Sequence, residues 1–141
     1  MPNIPEPEAF ELLAAAPVAR LATVGADGRP HLVPIVFALD GRRLVTAVDH
    51  KPKRTRSLKR LRNLASNPAV SVLADHYEDD WDRLWWVRAD GTARVDDTPA
   101  AVEWAAGLLA ARYPRYRTRP PAGPVIVAEI HRIIGWRAAG V

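Results

Sequence analysis

The sequence contains no cysteine. That excludes disulfides, thiolate metal sites and cysteine nucleophiles, and a reducing compartment, most simply the cytoplasm, is the expected location. The short motifs of self-sufficient catalysis are missing as well. No G-x-G-x-x-G follows a strand-like run, and no phosphate-cradling G-x-x-x-x-G-K-[ST], nucleophile-elbow G-x-S-x-G or zinc-binding H-E-x-x-H occurs. No apolar run approaches the ~20 residues that span a bilayer. The stretch from Met1 to Glu11 is broken by prolines and acids, so neither a signal peptide nor a membrane anchor is expected there. Histidines are few and scattered, at His31, His50, His76 and His131. Only Asp75-His76 with Glu78, Asp79 and Asp80 resembles a hard-cation cluster. Adjacent residues at a strand end point to opposite sides and the spacing matches no calcium loop, so a solvated acidic loop and no metal is the expectation.

What is present is the composition of an ordinary globular chain. With 141 residues, 48% apolar and 26% charged, one domain covering 1–141 is expected, large enough to bury roughly 70% of the surface of its unfolded chain. Net charge is +4 and the isoelectric point about 10.0, a balance that favours anionic partners without choosing among a phosphorylated cofactor, nucleic acid and a membrane surface.

The patterning predicts an N-terminal helix over Glu6 to Ala16, with acids in its first turn and a stop at Pro17. Three β-branched runs follow, Val18 to Val24, His31 to Leu39 and Arg43 to Val48, separated by Asp27-Gly28 and Asp40-Gly41, which are tight-turn signals. Leu58, Leu61, Leu64 and Ala65 recur at helical spacing up to Asn67-Pro68, where a helix should end. Ala69 to Ala74 and Leu84 to Val95 read as strands, the second interrupted at Asp90-Gly91 by a bulge or turn. Thr98 caps an alanine-rich helix to Arg112 with Pro99 at its first position. A proline- and arginine-rich loop, Tyr113 to Gly123, leads to a last strand, Val125 to Trp136. About six strands, two or three helices and no βαβ repetition predict a mainly β, antiparallel small barrel.

Charge is distributed unevenly. From His50 to Ala74 there is no acid, while Lys51, Lys53, Arg54, Arg56, Lys59, Arg60 and Arg62 fall within twelve positions. Most charge runs are solvated helix faces, but stable exposed helices mix signs, and like charges at Arg56 and Arg60 repel by a few tenths of a kcal/mol. An anionic ligand is therefore expected at this segment. Nucleic acid is disfavoured: Trp85 and Trp86 are neighbours on one strand, so they cannot both face one stacking platform. A phosphate-bearing small molecule needs only two or three focused cations, which Lys59 and Arg60 behind the Lys51-Pro52-Lys53-Arg54 loop can supply. With no nucleophile or metal in view, redox or group-transfer chemistry would have to come from a bound organic cofactor.

Taken in order, RLATVGADGRPHLVPI (20–35), LVTAVD (44–49), KRLRNLASNP (59–68), WWVRADGTARV (85–95) and IHRIIGW (130–136) resemble the pyridoxamine phosphate oxidase-like flavoproteins, and within them the F420-dependent oxidoreductases. The resemblance implies a six-stranded split β-barrel and an obligate homodimer with its cofactor at the dimer interface. On this basis Val33, Pro34, Ile35 and Val36 with Thr46 and Ala47 would meet the ring system, Lys59 and Arg60 would hold the phosphate, and Trp86 with Val87 beside it would wall the pocket. Val33 stands where the vitamin-phosphate oxidases carry an arginine, and Trp86 where flavin mononucleotide (FMN) enzymes usually carry an amide. Lys51, Lys53 and Arg54 would follow the oligoglutamate tail of coenzyme F420. The implied activity is hydride transfer between F420 and a small unsaturated or quinone-like substrate, with an FMN oxidase or reductase, or a non-enzymatic F420 carrier, as alternatives on the same fold. Neither nucleic acid nor membrane is an expected partner.

Overall fold

A computed structural model describes residues 2–48 and 58–138. Lys51, Lys53 and Arg54 lie outside the described residues. The elements are α1 (Glu6–Ala15), β1 (Ala19–Val24), β2 (Pro30–Ile35), β3 (Ala38–Asp40), β4 (Arg43–Ala47), α2 (Lys59–Ser66), β5 (Ala69–His76), β6 (Trp85–Asp96), α3 (Pro99–Arg112), α4 (Pro114–Thr118) and β7 (Val125–Arg137), with a 3₁₀ turn at Trp81–Arg83. All strand pairings are antiparallel, in one sheet of order β2-β1-β5-β6-β7-β4-β3.

Seven strands, rather than the expected six, arise because the run His31 to Leu39 breaks in two. β2 and β3 are the two edges of the sheet, yet only Val36 and Phe37 separate them in the chain. Two intervening residues span at most ~11 Å, so the sheet must roll until its edges nearly meet. The roll encloses the larger core, which includes Leu13, Leu21, Phe37, Leu44, Val72 and Val87. A second cluster, Ala38, Val45, Val125 and Val127 under Ala105 and Leu109, fastens α3 to the β3-β4-β7 end.

Local chemistry sets the registers. Gly41, with φ 61, takes the first of two loop positions between the paired Asp40 and Arg43, where a type II′ hairpin needs a left-handed residue. α3 begins as the sequence predicts, with Thr98 Oγ1 accepting from Ala101 N–H at 3.3 Å. Asp96 accepts from both the backbone and the hydroxyl of Thr98, which holds its carboxyl below the ordinary carboxylate value. α2 carries a buried amide: Asn63 Nδ2 donates to the buried Thr23 Oγ1 at 2.9 Å, keying the basic helix onto β1. The Asp90-Gly91 signal is a bulge, where the β6–β7 register shifts. A Cβ on Gly91 would stand 1.9 Å from the Glu129 carbonyl oxygen.

Gly91→Ala should therefore force the β6–β7 ladder open and lower unfolding free energy by about 2–4 kcal/mol. Urea unfolding of the variant measures this. A loss within ordinary surface-substitution range, ~0.5 kcal/mol, would contradict the bulge account.

Candidate functional site

The roll leaves a gap where its edges approach. β2 pairs only with β1, and β4 pairs with β3 only through Ala38↔Val45 and the two pairs before it. Beyond that point Thr46 and Ala47 have a ladder partner on the β7 side alone, at Ile126 and Val125. Two strand edges thus face each other, and no ladder among the described residues joins them. Between them lies a groove of about 240 Å³ lined by Val18, Pro34, Ile35, Val36, Thr46, Ala47 and Arg60. Pro34, which lacks an N–H, is tolerated here because the edge asks no ladder bond of it.

The groove is held open by a corner at Val36 and Phe37. Their backbone groups leave the sheet, and side chains take them up. Thr46 Oγ1 donates to Val36 O at 2.7 Å. Arg112 donates to Phe37 O at 2.6 Å and to Ala16 O at 2.7 Å, with its guanidinium 5.0 Å from the Phe37 ring centroid. Tyr113 Oη accepts from Phe37 N–H at 3.2 Å and lies 3.1 Å from the carbonyl oxygens of Phe37 and Pro17, to which it offers its one hydrogen.

Of the residues singled out in the sequence, the fold brings together Pro34, Ile35, Val36, Thr46, Ala47 and Arg60. Others it separates. Lys59 opens α2 with its side chain exposed, outside the lining. Val33 turns inward and packs on the larger core. Val87 is a correction of the same kind. It is fully buried on the inner face of β6, and a Cβ on Gly135 would come within 2.8 Å of its Cγ1, so it cannot wall a groove. Trp86 faces the opposite way. It lines a second, open groove of about 490 Å³ on the outer face of the sheet, with Leu32, Leu73, Tyr77, Arg20 and Arg88 among its neighbours. Trp86 is not among the residues that line the ring groove, so within one chain the two grooves are separate. Trp85 packs against the core while Trp86 does not, as strand alternation requires.

Thr46 lines the groove as expected of a residue that would meet a ring, and also holds the corner. Its hydroxyl hydrogen is committed to Val36 O, so towards a ligand it can only accept. Val18, Arg112 and Tyr113 were missed from the sequence. The last two are 75 and 76 residues from Phe37, beyond any local pattern. In the acidic loop His76 and Arg83 both engage Glu78, Arg83 at 3.4 Å. Among the described residues no helix is long and apolar enough to cross a membrane.

Residues 5–137 match the family described as pyridoxamine 5'-phosphate oxidase, and the chain belongs to that family. Solved structures agree in fold. A conserved hypothetical protein from Mycobacterium tuberculosis is 22% identical with a TM-score of 0.76, the match covering 97% of this chain and 87% of that one. An FAD binding protein from Mycobacterium smegmatis is 20% identical with a TM-score of 0.65, covering 98% of both chains. A heme storage protein from Vibrio cholerae is 17% identical with a TM-score of 0.73, covering 96% and 98%. At these identities the likeness is one of architecture, that of the split-barrel proteins, and the ligands differ from relative to relative.

Thr46→Val, which keeps shape and removes the donor, should leave the half-buried Val36 carbonyl short of a partner and cost about 1 kcal/mol. Thr46→Ser should restore most of it. Equal stability of the Val and Ser variants in urea unfolding would show that the hydroxyl does not hold the corner.

Proposed function

We propose that the protein is an oxidoreductase that seats a flavin-type ring in the β2/β4 groove, with coenzyme F420 as its hydride carrier. The observation that carries the reading is the convergence of Pro34, Ile35, Val36, Thr46, Ala47 and Arg60 on one groove. Two strand edges that no ladder among the described residues joins suit the alternating amide-like N–H and C=O edge of such a ring. Arg60 adds a fork for a phosphate, and Lys59, one residue earlier, adds a second cation at the rim. Among the described residues, the groove's lining offers no acid or base. The bound cofactor would supply the hydride, and the chain's part is to orient the ring, exclude water from one face and leave room for a small unsaturated or quinone-like substrate.

The working form is a homodimer. One protomer's groove of about 240 Å³ falls below the ~300–1,000 Å³ of sites that enclose a small molecule. Leu32 and Tyr77, 65% and 62% exposed beside Trp86, form an apolar outer face that a two-fold partner would cover. The partner's face would then close the groove that one chain leaves open. The protein works in the cytoplasm, and neither nucleic acid nor a membrane is its partner. FMN, which has a phosphate but no tail, is the alternative cofactor, and a non-catalytic F420 carrier would use the same groove.

Titration of F420 with the protein, followed by fluorescence quenching and run in parallel with FMN, tests the reading. Saturable F420 binding at low micromolar protein is expected. It should weaken with salt and fall about tenfold in Lys59→Ala/Arg60→Ala, the loss of one exposed and one half-buried contact worth ~0.5–1 kcal/mol each. Preferential FMN binding would move the assignment to the alternative, and binding of neither would refute the cofactor reading.

A further inference from the structure

The chain between α3 and β7 is a second uncompensated basic segment. No acid occurs from Trp104 to Ala128, whereas Arg112, Arg115, Arg117 and Arg119 do. Arg112 is spent at the corner. Arg117 folds back, its Nε donating to Ala110 O at 2.9 Å. That leaves Arg115 and Arg119, both exposed and four residues apart across α4, so they share a face where like charges repel. No carboxylate of the described residues pairs with either.

An exposed basic loop is ordinarily just solvated, but both ends of this one are fastened to the walls of the groove. At one end Tyr113 Oη contacts Pro17 and Phe37, the neighbours of the lining residues Val18 and Val36. At the other, Pro124 O accepts from Val48 N–H at 3.3 Å, next to the lining residue Ala47. The segment therefore runs between residues that adjoin the two lips of the groove, with the exposed Arg115 and Arg119 along it.

We propose that Arg115 and Arg119 bind the anionic extension that a groove-bound cofactor carries beyond its first phosphate, either a run of carboxylates or a second phosphate. This rests on the reading that the groove seats a phosphorylated ring cofactor. Guanidinium forks match both anions, and two of them at helical spacing suit a chain of charges better than a single terminal group.

Two pairs of ligands test it: F420 with its oligoglutamate tail against the same deazaflavin phosphate without glutamates, and FAD against FMN. Affinities are compared for the wild-type protein, Arg115→Ala/Arg119→Ala and Arg115→Lys/Arg119→Lys, with circular dichroism to establish that each variant folds. The alanine variant should bind the extended member of a pair about tenfold more weakly, two exposed contacts at ~0.5–1 kcal/mol each. Its affinity for the short member should be unchanged, and the lysine variant should retain most of the binding. A loss confined to the deazaflavin pair assigns the carboxylate run, and one confined to the FAD pair assigns the second phosphate. Unchanged affinity for the extended ligand, or equal loss on both members, overturns the proposal while short-ligand binding leaves the groove reading standing. If no ligand binds the wild-type protein, both fall.

Discussion

The two-residue corner between β2 and β3 is the constraint on which the rest of the structure depends. A strand that leaves its ladder in a buried place abandons backbone groups that cost about 1–3 kcal/mol each if unpaired. Here Val36 and Phe37 find Thr46, Arg112 and Tyr113 instead of a neighbouring strand. The same contacts tie the end of α3 to Ala16 and Pro17 at the mouth of β1. A single guanidinium thus joins the C-terminal end of α1, the corner and the last turn of α3.

From that corner the groove follows. Because β3 stops pairing with β4 at Ala38↔Val45, the two edges of the rolled sheet diverge, and the groove lies in the gap between them. The gap is shallow in one chain, and the apolar outer face bearing Trp86 lies on the other side of the sheet. In the proposed homodimer these halves have complementary needs: the groove lacks a lid, and the face lacks cover.

Much of the architecture was legible in the sequence where it depends on local chemistry. Gly41 at a hairpin, Gly91 at a bulge, Thr98 at a helix start and Asn67-Pro68 at a helix end act within a few residues of themselves. The break at Val36 and Phe37 was not legible, because it is stabilised by residues about 75 positions away, and an unbroken β-branched run from His31 to Leu39 reads as one strand. The basic stretch was only partly informative. Composition flags charge, but geometry decides that Arg60 lines the groove while Lys59 stands outside it. For Val87 the carry-over from the resemblance failed for a simple reason. It adjoins Trp86 on a strand, and adjacent residues face opposite ways.

Arg112 and Tyr113 hold the corner and so shape the groove, which hydrogen exchange measured on Arg112→Met/Tyr113→Phe can test. Amides of 36–37 and 46–48 should lose protection by about tenfold or more, equivalent to ~1.4 kcal/mol of local opening, while the β5–β6–β7 ladder stays protected. Unchanged protection at Phe37, or a uniform loss across every strand, would contradict the account.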